Sequence, residues 1–139
     1  MKIVFFTPAL VASAIGRVSC LVVSELIQQD HEVVVVRTET IELLGEVSHP
    51  FPCEIISWNN SAGVNRHAKN ADLVVYQIGN HLSYHRGCLD WLQRLRGVVS
   101  LHDNFLGHLF WGWSEIIGRQ QALRVISSLY GTEISNRFF

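Results

Sequence analysis

Short apolar runs along the chain alternate with segments whose apolar residues recur at helical spacing. Five runs predict strands, at residues 3–6, 33–36, 53–58, 73–78 and 98–101. Unbroken runs rich in β-branched residues are typical of strands buried on both faces, as in a parallel sheet covered by helices. We therefore expect the last run, which stops abruptly at His102 and Asp103, to be a buried strand as well.

Helical periodicity fills the intervals between these runs. The helix after the first strand is predicted to bury one face, carrying Val18, Leu21, Val22, Leu26 and Ile27. The helix after the fourth strand is predicted to carry His85, Cys88, Leu89, Leu92 and Leu95. Residues 41–45 predict a short helical turn, residues 59–63 predict a loop, and the chain is helical in character from Asp103 onward. Alternating strands and helices predict an α/β fold with a doubly wound parallel sheet, Rossmann-like in architecture.

Polar residues follow three of the predicted strands, at Thr7, at Gly79 and Asn80, and at His102 and Asp103. Because the carboxyl ends of parallel strands meet at one edge of a sheet, we expect these residues to converge on a ligand site. His102 and Asp103 are the catalytic candidates. The alternative is that they serve the fold, with Asp103 capping the next helix and His102 held in the core.

Gly16 opens the first helix, where unpaired backbone amides are available to an anion. The alternative is that Gly16 is a flexible N-cap residue. The loop before it, residues 7–15, is too long for the dinucleotide-binding fingerprint and lacks its three glycines, and Glu39 after the second strand does not change this. No GxxxxGK[ST] element is present in the sequence either, so nicotinamide dehydrogenases and P-loop enzymes are disfavoured.

Composition narrows the choice further. A chain of 139 residues is one domain by length, and a net charge of -1 disfavours a nucleic-acid binder. Hydrophobic residues make up 48% and charged residues 17%, below the ~25% charged residues of an average domain, so some apolar surface is expected to meet something other than water. Three widely spaced cysteines suit reduced thiols in the cytoplasm better than a disulfide framework or a zinc site.

Three segments together resemble a known family. They are residues 13–19 (SAIGRVS), residues 75–80 (VYQIGN) with His85 following, and residues 97–103 (GVVSLHD) with Leu106 and His108 following. They look like the N-terminal domain of family-4 retaining glycosyltransferases of the GT-B fold, and the resemblance covers nearly the whole chain. In that family two Rossmann-like domains face each other, the first mainly binding the acceptor and the second holding the nucleotide-sugar donor.

The resemblance also implies roles for individual residues. Gly16 and Arg17 would lie beside the donor diphosphate, and His102 would lie near the transferred sugar. The remaining candidates would line the same cleft, and they are Asn80, His85 and His108. Two departures weaken this picture. Ala14 stands where the family commonly has glycine, and Gly107 stands where relatives often have the first histidine of a pair.

The expectation is therefore an acceptor-binding domain, residues 1–139, whose donor-binding C-terminal domain is absent, so that the fragment is inactive alone. Its partners would be a nucleotide-sugar donor and a glycan or lipid-linked acceptor. It would need no cofactor and no metal, because the sequence has no Asp-x-Asp element. It would lie in the cytoplasm or at the inner face of the membrane. The alternative is a flavodoxin-like module that binds a small anion or a protein without catalysis.

An aromatic run at residues 109–113 (LFWGW) is the last unusual feature. Clustered aromatic residues most often form core. The functional alternative is an acceptor-binding or membrane-facing patch, since tryptophan is favoured where an apolar surface meets water.

Overall fold

The computed structural model describes residues 1–138 and contains a five-stranded, all-parallel sheet in the order β3-β2-β1-β4-β5. The strands are β1 (Lys2–Thr7), β2 (Glu32–Arg37), β3 (Ile55–Ser57), β4 (Leu73–Ile78) and β5 (Val98–Leu101). The chain moves outward from β1 through β2 to β3 and then crosses to β4 on the other side of β1. This reversal of direction lies between β1 and β4, where doubly wound sheets place their ligands.

Helices cover both faces of the sheet. They are α1 (Ala14–Gln28), α2 (Ser61–Ala68), α3 (Leu82–Leu92), α4 (Gly107–Ile117), α5 (Arg119–Tyr130) and α6 (Thr132–Phe138), with a short 3-10 helix at Ile41–Leu43. Gly118 and Gly131 separate the last three helices with φ values of 86° and 87°, a conformation that favours glycine. The predicted α/β fold with a doubly wound parallel sheet is confirmed.

The core has two layers because successive side chains of a strand point to opposite faces. On one face, Ile3 and Phe5 of β1 pack with Val23 of α1. On the other face, Phe6 stacks on Tyr76 of β4, with ring centroids 4.6 Å apart, and Trp91 of α3 packs beside them. β1 is thus buried on both faces, which explains its unbroken apolar run.

β5 differs from the expectation, because it is not a buried strand. It lies at the edge of the sheet, where it pairs only with β4, and Val98 and Leu101 are 58% and 59% exposed. An apolar run predicts extended structure, but the position of a strand in the sheet decides whether that strand is covered. The prediction that residues 98–101 form a strand is therefore confirmed, and the prediction that this strand is buried is wrong.

Two helical predictions also need correction. The buried residues of α1 are Gly16, Ser19 and Val23, whereas Val18, Leu21 and Val22 are exposed. The expected loop at residues 59–63 includes the start of α2, because Asn60 acts as its N-cap and accepts a hydrogen bond from the Gly63 amide at 3.0 Å.

A buried ion pair ties the end of β1 to the end of β2. Glu39 is fully buried, and its Oε1 atom lies 3.2 Å from Arg37 Nη2. The same oxygen accepts hydrogen bonds from the amides of Ala9 and Leu10, at 2.7 and 2.6 Å. One carboxylate therefore satisfies both an arginine and two backbone donors of the loop that leads into α1.

Among the last three helices, α5 packs against α4 and α6, while α4 also contacts α3 and contributes the fully buried Leu109 to the core. No helix in residues 1–138 is long and apolar enough to cross a lipid bilayer.

We expect Glu39→Ala to lower the free energy of unfolding by about 3–5 kcal/mol, because the buried guanidinium of Arg37 loses its counter-charge and two buried amides lose their acceptor. Urea unfolding followed by circular dichroism measures the change. Glu32→Ala is the control, since its ion pair with Lys2 is exposed and should contribute under ~1 kcal/mol. Similar losses of stability in the two variants would show that the buried ion pair of Glu39 stabilises the fold no more than an exposed one does.

Candidate functional site

The segments that follow three of the strands meet, as predicted, at a cavity of about 270 Å³ at the carboxyl edge of the sheet, although Thr7, Gly79 and His102 do not line it. Residues 12–15, at the end of the β1–α1 loop and the start of α1, form one side of the cavity. The turn after β4, the first turn of α3 and the segment after β5 form the other side, with Asn80, His81, Tyr84, His85 and Asp103. The cavity therefore lies where the chain reverses its direction across the sheet, and the three segments predicted to meet do so.

Ser13 shapes the helical side of this cavity. It is the N-cap of α1, and its Oγ accepts a hydrogen bond from the Gly16 amide at 3.0 Å. Within residues 1–138, the amides of Ala14 and Ile15 have no such acceptor. These two N–H groups, and not that of Gly16, are available to an anion in the cavity.

Gly16 is instead required by packing. A Cβ at this position would lie 2.6 Å from the carbonyl oxygen of Pro8 and 3.2 Å from the ring of His49, so a side chain would push α1 away from the segment that follows β1. Arg17, the next residue, is exposed and does not line the cavity. Gly16 and Arg17 were both expected beside a diphosphate. Gly16 is instead needed for close packing, and Arg17 is exposed and lies outside the lining of the cavity.

His85 is buried and fixed in one tautomer. Its Nδ1 donates to the Gln77 carbonyl at 3.0 Å, and its Nε2 accepts from the Gly79 amide at 3.1 Å. Burial lowers the pKa of His85 to about 4, chiefly by desolvating the charged form. His85 is therefore neutral near pH 7, and both of its nitrogens hold the turn after β4.

Asn80 and Asp103 complete the same turn. Asp103 Oδ2 accepts from the Asn80 amide at 2.7 Å, which ties the end of β4 to the segment after β5. Asn80 Oδ1 accepts from the amides of His108 and Leu109, at 3.0 and 3.1 Å. The residue that caps α4 is thus Asn80, from a distant part of the chain, and not Asp103.

His102 is exposed at the same edge. Its amide donates to the Ile78 carbonyl at 2.9 Å, which extends the pairing of β5 with β4. Its Nε2 donates to the Gln77 side-chain oxygen. Because Gln77 orients the ring, it belongs to the site although the sequence reading missed it. A polar residue just before the end of an otherwise apolar strand was the available signal.

His108 lies apart from this cavity and lines a second one between α3 and α4. The edge cavity therefore brings together Asp103, Asn80 and His85 with the first turn of α1, while His102 lies beside them. Residues 1–138 contain no group of three or more histidine, cysteine or acidic residues placed to hold a metal ion.

The arrangement separates two chemical roles. The unpaired amides of α1 offer fixed positive dipoles for an anion, and His102 offers an exposed imidazole that can hydrogen-bond to a ligand. The polar side chains between them already have hydrogen-bond partners within the protein, so they hold the geometry of the edge.

Comparison of the chain with protein-family models, with curated protein sequences and with solved structures gave no match. The site is therefore interpreted from its geometry and chemistry.

The lowered pKa of His85 makes stability depend on pH. The unfolded chain protonates this imidazole near pH 6.5 and the folded chain only near pH 4, so the stability that His85 contributes is complete above pH 6.5. As the pH falls from 6.5 to 4, the unfolded state takes up the proton first, and about 3 kcal/mol is lost. Urea unfolding of the wild type and His85→Gln across this range should show their difference shrinking, and a constant difference would contradict the assignment.

Proposed function

We propose that this chain is the acceptor-side half of a retaining glycosyltransferase that uses a nucleotide-sugar donor. The observation that carries the proposal is the shared edge of the sheet, where the first residues of α1, Ala14 and Ile15, line one cavity together with Asp103, and the exposed His102 precedes Asp103 in the chain. The resemblance of residues 13–19, 75–80 and 97–103 to the N-terminal domain of family-4 enzymes supports the same function.

The chemistry of sugar transfer fits these two groups. When a glycosyl–phosphate bond breaks, negative charge grows on the departing diphosphate and positive charge grows on the sugar. Preorganised donors stabilise the first charge, and the amides at the start of α1 are such donors. His102 would bind a hydroxyl of the transferred sugar through an imidazole whose orientation Gln77 fixes.

Asp103 acts as a positioning residue in this proposal. Its Oδ2 holds the Asn80 amide, and Asn80 holds the first turn of α4, so the carboxylate fixes the position of the neighbouring His102. No second carboxylate faces it among the residues that line the cavity, which favours transfer over hydrolysis by a carboxylate pair. The second domain of the enzyme would hold the rest of the donor, in the cytoplasm.

A binding module without catalysis is the second candidate. The small volume of the edge cavity favours it, as do the internal hydrogen bonds that occupy Asn80, His85 and Asp103. In that case the amides of α1 would hold a small anion, and His102 would have no chemical task.

Substitution of His102 separates the two candidates. In the natural gene product that contains this chain, His102→Ala should lower glycosyl transfer more than tenfold, a loss of over ~1.4 kcal/mol in transition-state stabilisation, because the sugar loses its imidazole partner. Transfer of radiolabelled sugar from a panel of nucleotide sugars measures the effect, and thermal unfolding checks that the variant is folded.

His67→Ala is the matched control, because His67 lies at the opposite edge of the sheet, beside the starts of β1 and β2. It should leave transfer unchanged. Equal transfer by the wild type and by His102→Ala would remove His102 from the mechanism and favour the binding module.

An apolar groove of about 360 Å³ lies between α4, α5 and α6. It is a candidate membrane-binding surface. Phe105, Phe110, Trp113 and Leu129 are among the residues that line it. Of the aromatic run, only Leu109 is fully buried, so the run forms core at one position and surface at others. We propose that this groove carries the contact with a membrane surface that a lipid-linked acceptor would require.

Flotation with liposomes of phosphatidylglycerol and phosphatidylcholine tests this contact. Trp113→Ala should reduce the fraction of protein that floats at least twofold, because it removes an aromatic wall of the groove. Val47→Ala, which truncates an exposed apolar residue elsewhere, is the control. Equal flotation of wild type and Trp113→Ala would exclude the groove as a membrane-binding surface.

A further inference from the structure

A cavity of about 420 Å³ lies between the start of α3 and one face of α4, separate from the edge cavity and from the apolar groove. Its residues are His81, Leu82, Ser83, His108, Trp111, Gly112, Glu115 and Ile116. Those from α4 recur at intervals of three and four, so they form a single helix face. His81 lines both this cavity and the edge cavity, so the two are neighbours.

The walls of this cavity are held rigidly. Asn80 Oδ1 accepts from the amides of His108 and Leu109 and so fixes the first turn of α4 beside the start of α3. At Gly112, an added Cβ would lie 2.9 Å from Leu82 Cδ2 and 3.0 Å from Leu82 Cβ. The missing side chain lets the two helices approach closely, and the cavity lies above that contact.

The lining combines a broad aromatic ring with hydrogen-bonding groups. Trp111 is 48% exposed, although tryptophan is usually well buried. Around it are the carboxylate of Glu115 and the imidazoles of His81 and His108. A hydrocarbon ligand would desolvate these polar groups without replacing their hydrogen bonds, and a polyanion would be repelled by Glu115.

A sugar ring satisfies both parts of the lining. The C–H face of a pyranose is apolar and stacks on an aromatic ring, while its hydroxyls donate to carboxylates and exchange hydrogen bonds with imidazoles. We propose that this cavity binds one pyranose unit of a glycan, stacked on Trp111 and hydrogen-bonded to Glu115 and the two histidines. The binding of a sugar does not depend on the proposed function; only the assignment of this sugar to the acceptor rests on it.

The four tryptophans of the chain allow NMR to locate a bound sugar, because each indole N–H gives its own resonance. The indole N–H groups of Trp58 and Trp91 donate to backbone carbonyls at 2.6 and 2.7 Å, and Trp113 lines the apolar groove on the other side of α4. Among the tryptophans of residues 1–138, Trp111 is the one that lines this cavity, so in a ¹⁵N NMR spectrum its indole resonance should respond to a bound sugar.

The experiment titrates the chain with the methyl glycosides of glucose, galactose, mannose and N-acetylglucosamine. At least one of them should shift the Trp111 indole resonance saturably and leave that of Trp113 in place. Glu115→Gln should weaken the binding at least fivefold, because the carboxylate accepts the sugar hydroxyls. Glu133→Gln, which changes an exposed glutamate on α6, should bind as the wild type does.

Trp111→Ala provides a second readout, by saturation transfer from protein to glycoside. The saturation-transfer signal should fall to the level of a protein-free sample. The proposal is overturned if no glycoside shifts the Trp111 resonance, if Glu115→Gln binds as the wild type does, or if the resonance responds only to phosphatidylglycerol and phosphatidylcholine vesicles.

The two proposals can fail separately. A neutral His102→Ala variant combined with a sugar response at Trp111 would reject the transferase and keep the sugar site. Transfer that depends on His102 without a response at Trp111 would reject the sugar site alone.

Discussion

The buried carboxylate of Glu39 is the interaction on which the carboxyl edge of the sheet depends. It joins the end of β2 to the loop after β1 by accepting from Arg37 and from the amides of Ala9 and Leu10. The same residue also contributes its backbone carbonyl, which accepts from the indole of Trp58 at 2.6 Å. A buried charge is costly unless it is paired and hydrogen-bonded, and here the partners of the carboxylate come from two separate segments, while the backbone carbonyl of the same residue binds a third. The start of α1 can therefore take its place only when these segments are assembled.

A second set of hydrogen bonds fixes the other half of the edge. His85, Asp103 and Asn80 connect β4, the segment after β5 and α4, and each accepts a hydrogen bond from at least one backbone amide. The groups that remain toward a ligand include two amides of α1, and the exposed His102 lies beside them. The edge thus follows a general pattern for binding sites, in which many residues hold the geometry while a few make contact.

The sequence predicts most of this fold because its strongest signals are local. The runs at residues 73–78 and 98–101 coincide with β4 and β5, and the convergence of the strand ends follows from parallel topology. What the sequence could not show depends on distant partners. Whether β5 is covered is decided by its place at the sheet edge, and the role of Asn80 is decided by α4, 27 residues further on. The start of α2 was missed because Asn60 is typical both of loops and of helix caps.

The packing of the last three helices has a consequence for how the molecule opens. α5 contacts chiefly its neighbours in sequence, α4 and α6, and glycines with positive φ separate the three helices. Contacts of this local kind can be lost and regained while the sheet stays intact. We therefore expect α5 and α6 to open more readily than the sheet, so that their amide hydrogens exchange with solvent before those of β1.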